Sequence, residues 1–94
     1  MNAELVFHEK VVESDHGMVE IKIWSVPKNH DKPHGYKYSL AFVREGRRVI
    51  GYDNSEGKGD HRHFGDREEP YSFQGIDRLF EDFHQDVRSY KNES

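Results

Sequence analysis

Ninety-four residues, 34% of them charged and only 33% apolar, make one small domain (1–94) with a thin interior. The chain has no cysteine, which excludes disulfides and thiolate metal sites, and its net charge of −4 argues against indiscriminate nucleic-acid binding. The N-terminal "MNAELVFHEKVV" lacks the apolar stretch of a signal peptide, and nothing approaches the roughly 18–20 apolar residues of a membrane span, so a cytoplasmic protein without membrane contact is expected.

Residues 4–12, "ELVFHEKVV", read as a first strand with Leu5 and Phe7 on one face. A turn at "DHG" (15–17) leads into "MVEIKIWSV", where Val19, Ile21 and Ile23 alternate with Glu20 and Lys22, the period of a half-buried strand. "PKNHDKPHG" (27–35) holds two prolines and a glycine and must be a loop or hairpin tip. "YKYSLAFV" follows, with Tyr36, Tyr38, Leu40 and Phe42 on a common face. Glu45-Gly46 then suggests a tight turn before a fourth strand ending at Asp53.

Residues 28–48 carry Lys28, Lys32, Lys37, Arg44, Arg47 and Arg48 against Asp31 and Glu45, a local +4 that leaves −8 for the remainder. Such asymmetry permits a basic face for an anionic ligand, although a charged hairpin is also an ordinary solvated surface.

The connection after Asp53 is unusual. From Asn54 to Ser72 the chain spends nineteen residues where two to six would be common, so the segment is functional or carries extra structure. "HRHF" (61–64) fits a short fifth strand, with His61 and His63 on one face and Arg62 on the other. Gly57 and Gly59 flank Lys58 in "SEGKGD", which lacks the spacing of a Walker loop.

The C-terminal segment is the clearest element. Ile76, Leu79, Phe80, Phe83, Val87 and Tyr90 fall at steps of 3, 1, 3, 4 and 3, one stripe of an α-helix, with Asp77, Glu81, Asp82 and Asp86 assigned to its outer face. The expected fold is α+β: an antiparallel meander of four or five strands with one amphipathic helix packed on one face. Twelve aromatic residues supply much of that core, and a homodimer or another partner would help bury the rest.

Three readings of the histidine segment follow from its chemistry. His61 and His63 could act as general base and acid in metal-independent RNA cleavage, because imidazole titrates near neutrality. Lys58, Arg62 and Arg67 would then stabilise phosphate charge, Asp53, Asp60 or Glu69 would orient a ring, and Tyr52 or Tyr71 would stack a base or move a proton. Alternatively, His61, His63 and Asp53 or Asp60 could hold a divalent transition metal, although no third ligand is fixed by a recognised spacing. In the third reading the charges pair with one another and merely pin a glycine-rich loop. The other five histidines share no spacing; His16, His30 and His34 read as turn residues and His84 as a packing residue beside Phe83.

The order Y-D-N (52–54), G-K-G-D-H-R-H (57–63), R-E-E-P-Y-S-F (67–73) and L-F-E-D-F-H-Q-D-V (79–87) resembles the TumE family of small bacterial and archaeal proteins. The likeness covers about residues 48–88 and departs from the family pattern at Gln74-Gly75, where relatives place a helix-capping Ser or Thr, a difference of about 1 kcal/mol at most. The resemblance implies a toxin neutralised by a helix-turn-helix antitoxin, and carries over no established catalytic residue.

In the leading reading the toxin is an endoribonuclease that needs no cofactor or metal. Its catalytic group is His61, His63, Arg67, Asp53, Glu69 and Tyr71, and its RNA contacts are Lys58, Arg62, Arg47, Arg48 and Lys37. The rival is a non-catalytic module whose 52–73 segment docks an antitoxin or regulator through Tyr71, Phe73 and Trp24. A divalent-metal nuclease using the same histidines is the second alternative.

Overall fold

Alternating apolar residues pair into six antiparallel strands, β1 (Glu4–Val12), β2 (Gly17–Ser25), β3 (Tyr36–Arg44), β4 (Arg47–Asp53), β5 (His61–Phe64) and β6 (Arg67–Pro70), followed by one helix, α1 (Ile76–Glu93). The computed structural model describes residues 3–13, 17–54, 57 and 59–93. The strands lie in chain order, β1-β2-β3-β4-β5-β6, each hydrogen-bonded to its neighbour in sequence.

The meander and helix are as expected, with one strand more. "REEP" (67–70) supplies it: it pairs with β5, so that His61 faces Pro70, Arg62 faces Glu69 and His63 faces Glu68. The long connection therefore encloses a short hairpin of its own. At the β3–β4 turn Glu45 and Gly46 both have positive φ, 53° and 78°, the combination whose twist suits a two-residue hairpin.

Register corrects one strand assignment. Leu5 pairs with Trp24 but Phe7 with Ile23, because a bulge lies between them. Leu5 and Phe7 consequently face opposite sides, and only Phe7 reaches the helix, where its ring lies 5.5 Å from that of Phe80. The expected turn at 15–17 lies mostly outside the described residues.

The helix covers one face of the sheet. Ile21, Ile23, Tyr38, Leu40, Phe42, Ile50 and Tyr52 meet Leu79, Phe83 and Val87 in a single buried cluster. Burying such side chains is worth roughly 1.5–3 kcal/mol each, which is how so small a core holds the layers together. Gly75 (φ 106°) starts the helix, its carbonyl accepting from the Leu79 amide at 3.0 Å. Among the described residues the other face of the sheet carries no helix, and β5 contributes to both.

Candidate functional site

β4 and β5 align Asp53 with His61, Tyr52 with Arg62 and Gly51 with His63. Because successive strand residues point to opposite sides, this register sorts the motif into two clusters. Asp53, His61 and His63 lie on the open face; Tyr52 and Arg62 lie under the helix.

On the open face, His61 Nε2 is 2.8 Å from Asp53 Oδ1 and 3.1 Å from Glu68 Oε2, while His63 Nε2 is 3.2 Å from Asp53 Oδ2. The imidazole rings meet edge to face with centroids 4.9 Å apart. His61 Nδ1 lies 3.1 Å from the Gly59 carbonyl, an acceptor, so this nitrogen carries the proton it donates. Its Nε2 then faces two carboxylates, also acceptors. His61 itself is 6% exposed, whereas the Glu68 side chain at the rim is 47% exposed.

Arg48 completes the cluster, with Nη1 3.6 Å from Asp53 Oδ2. It reaches there by lying across Gly51, where a Cβ would come within 2.8 Å of Arg48 Cδ. Absence of a side chain at Gly51 thus gives the guanidinium its path. Burial, and then the positive charge of Arg48, hold the His63 imidazole below its usual value of 6.5. The residues line an open cleft of ≈ 450 Å³, joined by Gly65, Asp66 and Glu68.

Under the helix the motif does something else. Arg62 Nη2 donates to Asp86 Oδ2 at 3.1 Å, and its guanidinium lies 5.5 Å from the Tyr52 ring centroid and 4.6 Å from that of Phe64. Its Nε sits 3.3 Å from Glu69 Oε2 without hydrogen-bond alignment, so that contact is ionic only. The Tyr52 hydroxyl donates to Asp86 Oδ2, and the Tyr71 hydroxyl to Asp82 Oδ2 at 2.6 Å. Arg78 Nε also reaches Asp82, at 3.1 Å. Burial, reinforced by donation to a carboxylate, pushes both tyrosines above their usual range. Burial also raises Asp86, outweighing the opposing effect of Tyr52 and Arg62. A second cleft of ≈ 460 Å³ opens beside this cluster, among Ser72, Gln74 and Gln85.

Asn54 and Asp60 brace the ends of the segment. Asn54, 1% exposed, accepts from the Tyr38 amide at 3.0 Å and donates to the Tyr36 carbonyl at 2.8 Å, supplying β3 with partners where β4 ends. Asp60 Oδ2 accepts from the Tyr38 hydroxyl at 2.6 Å and contacts His34 Nε2 at 3.0 Å.

Of the predicted site residues, the structure brings together Asp53, His61, His63 and Arg48. Arg62 points away, as alternation predicts, with Glu69 beside it and Tyr71 tied to the helix. Arg67 is exposed and in register with Phe64, on Arg62's side of the sheet. Lys37 lies 5.4 Å from the Trp24 ring centroid, Arg47 is exposed at the start of β4, and Lys58 lies outside the described residues. Phe73 is packed against His34 at 4.1 Å and Tyr38 at 5.6 Å, so it and Tyr71 are engaged within the fold.

Glu68, Asp82 and Asp86 were not among the predicted site residues. Asp82 and Asp86, assigned to the solvent side of the helix, instead flank its buried stripe. Their positions three and seven residues after Leu79 carried that signal. His34 is likewise no ordinary turn residue, given its contacts with Asp60 and Phe73.

A family model described as Toxin TumE matches residues 2–91. No curated protein and no solved structure matches the chain.

Proposed function

The chain belongs to the TumE toxin family, and from that premise we propose that it is the toxin of a toxin–antitoxin pair and cleaves RNA at the Asp53–His61–His63 cluster. The observation that carries this reading is the convergence of two imidazoles on one carboxylate, with a guanidinium alongside, in a cleft open to solvent. In this reading the RNA 2′-oxygen attacks phosphorus and the 5′-oxygen leaves, so one P–O bond forms as another breaks. One imidazole takes the 2′-hydroxyl proton and the other supplies a proton to the leaving oxygen. Asp53 positions both rings, and Arg48 faces the phosphate charge.

In this reading the roles expected from sequence shift. Arg62 and Glu69 tie the helix to the hairpin, Tyr71 anchors to Asp82, and Arg48 replaces Arg62 as the cation beside the histidines. The partner is an antitoxin, of the helix-turn-helix class that the motif resemblance implies.

Inducible expression of the wild type and of the His61→Ala/His63→Ala pair tests the proposal, with growth, total-RNA integrity and soluble folded protein followed together. Growth arrest with RNA degradation is expected for the wild type alone. Equal arrest by a folded double variant rules out the histidine chemistry, and a harmless wild type rules out the toxin.

A further inference from the structure

We infer that Asp53, His61 and His63 form a binding site for one divalent transition-metal ion of the zinc class, with Glu68 as an additional oxygen donor. This inference stands on ligand geometry and does not rest on the ribonuclease reading; a bound ion occupies the ring nitrogens that reading needs free, so it would inhibit the acid–base step. One oxygen of Asp53 and one ring nitrogen from each histidine all lie within 4.8 Å of one another. Metal–ligand bonds of about 2.0–2.2 Å place such atoms about 3–3.5 Å apart, so a closing movement on the order of 1 Å completes the set.

The tautomer of His61 gives the second, independent indication. Its Nδ1 donates to the Gly59 carbonyl, so in the neutral ring the Nε2 lone pair points at Asp53 and Glu68, 2.8 and 3.1 Å away. A lone pair facing two carboxylates is unfavourable unless a proton or a metal ion lies between them. A metal ion satisfies all three groups at once, and a carbonyl fixing the remote ring nitrogen is the usual support of a metal-bound histidine.

Imidazole with carboxylate suits zinc, nickel or manganese; magnesium prefers oxygen donors and keeps its waters. Arg48 is the opposing charge, since its guanidinium lies 3.6 Å from the same Asp53 carboxylate. It makes the prediction two-sided: Arg48→Ala should tighten metal binding while the ligand substitutions weaken it.

The test is calorimetric titration of the purified full chain, stripped with chelator, with zinc, manganese, nickel and magnesium chlorides. Saturable one-to-one zinc binding is expected, at least ~10-fold weaker in His61→Gln/His63→Gln, with magnesium silent. Asp53→Asn should show a similar loss, and it keeps the test decisive if the double variant does not fold. Arg48→Ala should bind zinc several-fold more tightly. No saturable zinc binding by the wild type, or equal binding by the folded ligand variants, overturns the site. Cleavage of RNA by the stripped protein bears separately on the preceding section. Zinc binding without any cleavage, stripped or loaded, keeps the site and rejects the ribonuclease; cleavage without binding does the reverse.

Discussion

His61 and Arg62 are adjacent in one four-residue strand, yet their surroundings have opposite logic. Arg62 sits beneath the helix between carboxylates and aromatic faces, so every group around it favours its permanent charge. On the open face both ring nitrogens of His61 meet acceptors, and its state depends on a proton or a metal ion. The cluster under the helix is therefore organised around a fixed charge, and the open-face cluster around one that can change. A motif that reads as one charged tract is physically two sites back to back.

Substitutions can break this contrast. Arg62→Ala should have the largest effect on stability, about 2–3 kcal/mol, because it leaves the half-buried Asp86 without its guanidinium partner; partial exposure of both groups keeps the loss below that of a fully buried pair. Denaturant unfolding measures it. Tyr52→Phe removes one hydroxyl and should cost about 1–1.5 kcal/mol in the same assay. On the open face, His63→Gln should change stability by less than about 1 kcal/mol while abolishing RNA cleavage. Arg48→Ala should stay within about 0.5 kcal/mol of the wild type and still reduce cleavage. A stability loss on the open face as large as that of Arg62→Ala would erase the distinction.

The smallest predicted effect is a change of slope with pH. Asp86 keeps its proton to higher pH when folded than its ordinary value of 3.8 allows, chiefly through burial. Folding then binds the extra proton, so its contribution is fully present below 3.8 and is lost as pH rises through the folded value. Thermal melts of wild type and Asp86→Asn should show the wild type losing stability relative to the variant as pH rises across that interval. Parallel profiles would place Asp86 in a more hydrated setting.

Much of this arrangement was legible in the sequence because alternation and helical spacing are local. Val19, Ile21 and Ile23, and the stripe from Ile76 to Tyr90, carry their own periods. "HRHF" likewise announced that Arg62 would turn away from its neighbours. The bulge between Leu5 and Phe7 was not legible, since neither residue reports the partner register that shifts. Nor was the path of Arg48 over Gly51, which depends on a strand bringing a missing side chain beneath a long one. The spacing of Asp82 and Asp86 from Leu79 set them beside the apolar stripe, but their phenol and guanidinium partners come from other elements and were not legible.

The strict chain order of the six strands also governs how this molecule forms. Each strand completes a hairpin with the segment made just before it, so no early strand waits exposed for a distant partner. Contacts of low sequence separation carry a small closure entropy and favour rapid folding. The helix must reach back across the sheet, and its docking brings Asp82 and Asp86 to Tyr71 and Tyr52. The β4–β5 pairing that aligns Asp53 with the histidines needs no such return, so the open-face cluster can assemble before the layer behind it closes.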